Sequence, residues 1–213
     1  MEKDLVQSLK EFFFDIIGFL VPGTLILVII NHYFNLKIEF KDGSYILLII
    51  SYSTGYLIFA ITLLKDRLLD KLNKCKKILC QDSVLGKLKN RKTYIEVSEI
   101  INKNLGENKE LSYKGYRNIA MSAIPESDKK IFTFMFRAEL FNQLHTICVI
   151  LFMFCIIQTA YNLTKSKSII EMTYSLMVSL IGILALRRGW ERFYSIAMSL
   201  PFSIYLEKRI KND

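Results

Sequence analysis

The chain has little of what builds a soluble enzyme. It holds four cysteines and two histidines in 213 residues. Four cysteines are too few for a disulfide-dense scaffold. His32 and His145 are expected near opposite faces of a membrane, so they share no site. Cys75 and Cys80 lack a paired CxxC and a nearby histidine, a poor match to zinc-ligand spacing. Cys148 and Cys155 fall on one face of a helix and read as apolar packing residues. The sequence contains no GxxxxGK[ST], GxSxG or HExxH, and no run of acids that would hold a metal. The expectation is therefore no enzyme, no cofactor and no metal.

Low hydrophobicity is also missing, which excludes intrinsic disorder. Hydrophobic residues make up 52% of the chain, yet 29 Lys and Arg against 20 Asp and Glu leave a net charge of +9. Oily and basic blocks must be segregated. Three runs are free of Asp, Glu, Lys and Arg: 21 residues at 16–36, 22 at 43–64 and 25 at 140–164. A fourth, of 19 residues at 168–186, is broken only by Glu171, and 15 residues remain from Met172 onward. A helix needs about 20 mostly apolar residues to cross the hydrocarbon core. The expected fold is all-α: a polytopic helical membrane protein with four transmembrane helices and a small helical cytoplasmic region. The alternative is three spans plus a re-entrant or interfacial segment. Strands are excluded because Leu25–Ile30 and Ile46–Ile50 do not alternate apolar with polar. The flank Met1–Glu11 has two lysines and three acids, unlike a signal peptide, so the first helix is expected to stay in the mature protein.

The expected organisation is an N-terminal hairpin at 1–64, with spans about 12–33 and 44–64. A cytoplasmic loop follows at 65–139, then a second hairpin at 140–187, with spans about 140–163 and 168–187. A basic aromatic tail at 188–213 ends the chain. The loop carries 17 Lys and Arg against 10 Asp and Glu. Basic residues next to spans stay on the cytoplasmic side. With four spans, the clusters after span two, before span three and after span four all fall on one side. This places both termini in the cytoplasm and the protein in the inner membrane.

Within the loop, Lys65–Cys80 reads as a helix extending span two, Gln81–Asn90 as a break, and Thr93–Leu105 as an amphipathic helix. Gly106–Gly115 reads as a polar loop, Tyr116–Ala123 as a short helix, and Ser127 as the N-cap of a helix entering span three. In the tail, Trp190, Phe193, Tyr194, Phe202 and Tyr205 stand among basic residues, as in a belt at the lipid–water interface, with Pro201 bending the chain back.

Asp15 is an ionisable residue one turn inside the first span, where it must face protein or water. Arg137, Arg187 and Arg188 are its expected partners, in a positioning ion pair or a gating contact. Gly18, Pro22, Gly23 and Gly55 suit helix packing or a hinge. Lys87, Lys89, Arg91 and Lys92 are the densest basic stretch away from the spans. They are candidates for binding a cytoplasmic protein or nucleotide ligand, with nucleic acid not expected. The lipid bilayer and further copies of the chain are the other expected partners.

The start Phe14–Gly23 (FDIIGFLVPG), the element Arg137-Ala138-Glu139 and the tail Arg187–Tyr194 resemble a diffuse group of small prokaryotic four-span membrane proteins associated with antiviral defence. That resemblance implies a membrane effector or sensor, and it carries no catalytic residues. The expected function is an oligomeric effector that couples a cytoplasmic signal to membrane perturbation. A passive anchor recruiting a soluble partner, and a small channel or transporter, are the alternatives. Asp15→Asn is expected to change activity while leaving insertion intact, as membrane fractionation beside a depolarisation assay will show.

Overall fold

The computed structural model of the chain describes residues 2–35, 45–73, 81–105, 111–124, 130–164 and 170–212, and these are all helical or helix-flanking. Seven helices occupy the described residues: α1 (Glu2–Phe34), α2 (Tyr45–Asn73), α3 (Gln81–Lys89), α4 (Lys92–Leu105), α5 (Tyr113–Ser122), α6 (Lys130–Thr164) and α7 (Ile170–Asn212). Three stretches are long and apolar enough to cross a membrane: Ile16–Phe34, Tyr45–Leu69 and Lys130–Tyr161. The described part of the fourth run, 170–186, lies on α7, which is not among them. The chain divides into two compact units. One comprises Met1–Arg67 with Glu139–Gly189, the other Leu68–Ala138 with Trp190–Asp213.

The first unit is inverted relative to a soluble bundle. Ile17, Val21, Leu25 and Val28 of α1 are exposed, as are Leu57, Ile61 and Leu64 of α2. Ile156 and Ile157 of α6 and Met177, Ile181 and Leu184 of α7 are exposed as well. Ser51, Thr62, Asn142, Gln143, Thr146 and Ser179 are buried instead. Lipid tolerates apolar side chains outside but leaves polar groups to be satisfied within the protein. Ile26, Ile58 and Ile147 form an aliphatic layer, with Ile29, Ile30, Leu144 and Ile150 packed against it.

The seam between α1 and α2 has almost no side chains. A Cβ on Gly23 would run into the Ser51 carbonyl and the Gly55 nitrogen; a Cβ on Gly55 would run into the Phe19 carbonyl. Two backbones approach this closely only where both residues lack a side chain. Phe19 closes the seam, stacked on Tyr56 at 4.0 Å and edge-on to Tyr52 and Phe59. Pro22 is fully buried beside it and removes the helix donor for the Gly18 carbonyl. After Phe34 the chain leaves the helix through Asn35 at φ 52°, a left-handed position that asparagine accepts.

The second unit joins the loop helices to the tail. Leu85, Leu88, Val97, Ile101, Tyr113, Tyr116, Ile131, Trp190, Tyr194, Met198 and Phe202 are all buried. Tyr94, Tyr113 and Phe202 interlock with ring centroids 4.9–5.4 Å apart. Tyr113 Oη donates to the Met198 carbonyl at 3.2 Å, one turn before Pro201. Burial pushes the Tyr113 phenol above its ordinary range, so it stays a donor through neutral pH. Arg91 donates to Ser199 and Ser195 at 3.2 and 3.3 Å. Lys208 Nζ bonds the Ala123 carbonyl at 2.8 Å, closing the C-terminus of α5.

Three expectations change here. Gln81–Lys89 is a helix and not a break, because Leu85 and Leu88 turn one face into the core. The tail aromatics pack on the loop helices, whereas the expectation laid them at a lipid surface, and α7 continues through Pro201. The polar loop ends at Ser112, which caps α5 by accepting from Gly115 N at 3.2 Å. Cys75, Cys80 and Ser127 lie outside the described residues.

Two glycines test this packing with opposite signs. Gly55→Val is expected to lower stability by roughly 1–3 kcal/mol. Gly86→Ala is expected to raise it by roughly 0.5–1 kcal/mol, because Gly86 is an exposed helical residue with open space where a Cβ would stand. Denaturant unfolding of the full chain in detergent measures both.

Candidate functional site: a buried polar cluster on α2 and α6

α2 and α6 are antiparallel where they meet in the first unit: Thr62 faces Thr146 and Lys65 faces Asn142. On α6, Glu139, Asn142, Gln143 and Thr146 recur at three- and four-residue spacing and so form one stripe. The stripe begins where the charge-free run of α6 begins. Thr62 and Lys65 sit one turn apart on α2 and supply the opposing groups.

Lys65 organises the cluster. Its ammonium carries three donors and no acceptor. Its nitrogen lies 2.9 Å from Asn142 Oδ1, 2.9 Å from Thr146 Oγ1 and 3.3 Å from His145 Nδ1. Because Lys65 can only donate, His145 must accept at Nδ1, which assigns its proton to Nε2. Asn142 turns its amide the other way and donates to Asp66 Oδ2 at 2.8 Å. Asp66 Oδ1 stands 3.6 Å from the Lys65 ammonium. Thr146 donates to the Asn142 carbonyl, and the Thr62 hydroxyl lies 2.8 Å from the Ile58 carbonyl and 2.9 Å from Thr146 Oγ1. Arg187 of α7 acts on Lys65 and His145 through its charge, and Glu139 acts on Lys65.

Two acceptors are left over. Glu139 Oε1 and Gln143 Oε1 are buried without a hydrogen-bond partner among the described residues. They are one turn apart on the same stripe. A buried unpaired acceptor costs about 1–3 kcal/mol, so two together require an explanation. Toward the Ile26–Ile58–Ile147 layer the cluster stops: Thr62 is one turn from Ile58, and Thr146 adjoins Ile147.

The residues anticipated from sequence are distributed differently. Arg187 lies beside the cluster. Arg137 belongs to the second unit and stands over the Phe134 and Phe193 rings at 5.8 and 5.7 Å. Arg188 is exposed. Asp15 lies on α1, with its side chain outside what the structure describes. Gly23 and Gly55 are brought together; Gly18 and Pro22 are buried nearby on α1. Lys87, Lys89, Arg91 and Lys92 are exposed; Arg91 is held by two serines, and Lys92 pairs with Glu96 at 3.8 Å. Among the described residues no three His, Cys, Asp or Glu converge as a metal set.

Sequence reasoning missed Thr62, Asn142, Gln143, His145 and Thr146. A count of formal charges hides them, because none carries one. Their helical spacing was the available signal.

Lys65→Met strands Asp66 and three acceptors and is expected to cost roughly 3 kcal/mol. Lys65→Met with Asp66→Asn is expected to cost less than Lys65→Met alone, since Asp66 is then not left as a charge without its lysine. Unfolding in detergent, run as a double-mutant cycle, checks this. No protein-family model, curated protein or solved structure matches the chain.

Proposed function

We propose that this protein is a non-catalytic, multi-pass effector or sensor of a cell inner membrane, acting as a homo-oligomer. In this reading it couples a cytoplasmic signal to membrane perturbation, and the resemblance noted above suggests antiviral defence as the setting. The Lys65–Asn142–Thr146–His145 cluster supports it most directly. Ionisable residues within membrane-crossing helices are costly and default to functional roles. This one combines a fully engaged lysine with two unpaired acceptors on the same stripe. A network used only for adhesion has no need of spare acceptors.

A fourth span on α7 is part of the proposal. Tyr174, Met177, Val178, Leu180, Ile181 and Leu184 are all exposed and apolar, a surface suited to lipid. Four spans place both termini and the 65–139 loop in the cytoplasm, with the loop as receiver of the signal. The aliphatic layer at Ile26, Ile58 and Ile147 ranks a standing polar channel below a gated device. The anchor reading draws on Lys87 and Lys89, which are exposed and available to a soluble partner.

The test is membrane potential and dye entry in a bacterial host after induction, with wild type and Lys65→Met at matched membrane levels. Wild type is expected to depolarise the cells, and Lys65→Met to change the rate about tenfold, the equivalent of one charged hydrogen bond. Absence of depolarisation by wild type at every expression level overturns the effector reading in favour of the anchor.

A further inference from the structure

The spare acceptors have a pattern. Lys65 donates to Asn142, His145 and Thr146. Three residues earlier on α6 stand Glu139, Asn142 and Gln143. Each of these also offers an acceptor oxygen, and two of the three, Glu139 Oε1 and Gln143 Oε1, are buried and unpaired. The aliphatic layer repeats at the same interval: Ile147 and Ile150 become Leu144 and Ile147. An offset of three residues therefore exchanges acceptor for acceptor around Lys65 and aliphatic for aliphatic in the layer beside it.

We propose that α2 and α6 have two registers, three residues apart, and that Lys65 is the pawl that selects between them. In the register observed, its ammonium engages Asn142, His145 and Thr146. In the other it engages Glu139, Asn142 and Gln143, and the two stranded acceptors receive their donors. The displacement is about 4.5 Å along the helix axis. Shifts of this kind between packed helices are an established form of two-state switching. The glycine seam ties α1 to α2 through their backbones, so the hairpin moves as one piece.

Asp66 sets the preference. In the observed register it faces the amide of Asn142. Asp66 already acts on the Glu139 carboxylate there; after the offset Glu139 takes the place of the amide and the two carboxylates come into direct contact. Their repulsion holds the observed register as the resting one, and a signal moves the equilibrium only by favouring the other. This switch rests on the effector reading for its purpose, and its existence is measured separately.

The test is a spin-label distance between Leu57→Cys and Ile157→Cys in the full chain in nanodiscs, with the four native cysteines replaced by serine or alanine. Both sites are exposed, at 64% and 66%, and lie away from the cluster. Because the helices are antiparallel, the second register lengthens this distance by about 4 Å. Wild type is expected to show mainly the shorter distance. Asp66→Asn, which relieves the repulsion, is expected to raise the longer-to-shorter ratio about tenfold or more. Thr146→Val, which removes an acceptor of the resting set, is expected to act in the same direction. Adding Gln143→Leu to either is expected to reverse the gain. One unchanged distance in all variants overturns the proposal, as does a longer distance that Gln143→Leu leaves untouched. A register shift without depolarisation keeps the switch and removes the effector reading; depolarisation with a single distance does the opposite.

Discussion

A lysine ammonium drawn into a membrane-crossing helix pair must find an acceptor for each of its protons. At Lys65 this requirement dictates much of the first unit. It explains why α6 places Asn142, His145 and Thr146 on the face toward α2, and why Thr62 rather than another aliphatic residue stands one turn from Ile58. It also accounts for the burial of Thr62, Asn142 and Thr146 beside the aliphatic layer of Ile26, Ile58 and Ile147. Without such a cluster, α2 and α6 would meet only through interchangeable Ile and Leu contacts, with little to define a register.

The second unit obeys the opposite solvent rule. Its helices are short and amphipathic, and they bury tyrosines, leucines and a tryptophan in one shared core. Three sets of hydrogen bonds knit loop to tail, one of them from Arg91 to Ser195 and Ser199. Tyr113 reaches the Met198 carbonyl, and Lys208 completes the end of α5. Arg117 is partly buried in this core, and its Nε has no hydrogen-bond partner among the described residues. Burial pulls its guanidinium below the ordinary value, while the phenols of Tyr194 and Tyr113 act in the other direction. The loop and the tail, far apart in the chain, are thus parts of one folding unit.

The helical class and three helices long and apolar enough to cross a membrane were legible because long charge-free runs have few other solutions. The α4 helix was legible from periodicity, with Val97 and Ile101 on its buried face. α3 was not, because Gln81, Asp82, Ser83 and Gly86 resemble turn residues, and only burial of Leu85 and Leu88 outweighs them. The tail aromatics were ambiguous for a different reason. A tyrosine among arginines suits both a lipid interface and a protein core, and the deciding partner, such as Tyr113 for Phe202, is remote in sequence. The cluster escaped notice because Lys65 and Glu139 were read as the ends of spans, and the uncharged polar residues next to Glu139 as part of an apolar run.

The glycine seam has a genetic consequence. At Gly182 and Gly189 the atoms that would obstruct a side chain belong to Cys148 and Phe141, which can be trimmed by a second mutation. At Gly23 and Gly55 the obstruction is main chain, and main chain cannot be trimmed. A lesion at either position therefore has no compensating change in its neighbour. Suppressor screens should recover revertants there and second-site partners only at the other pair. Divergent copies of this protein should keep both glycines even where the residues around them have drifted.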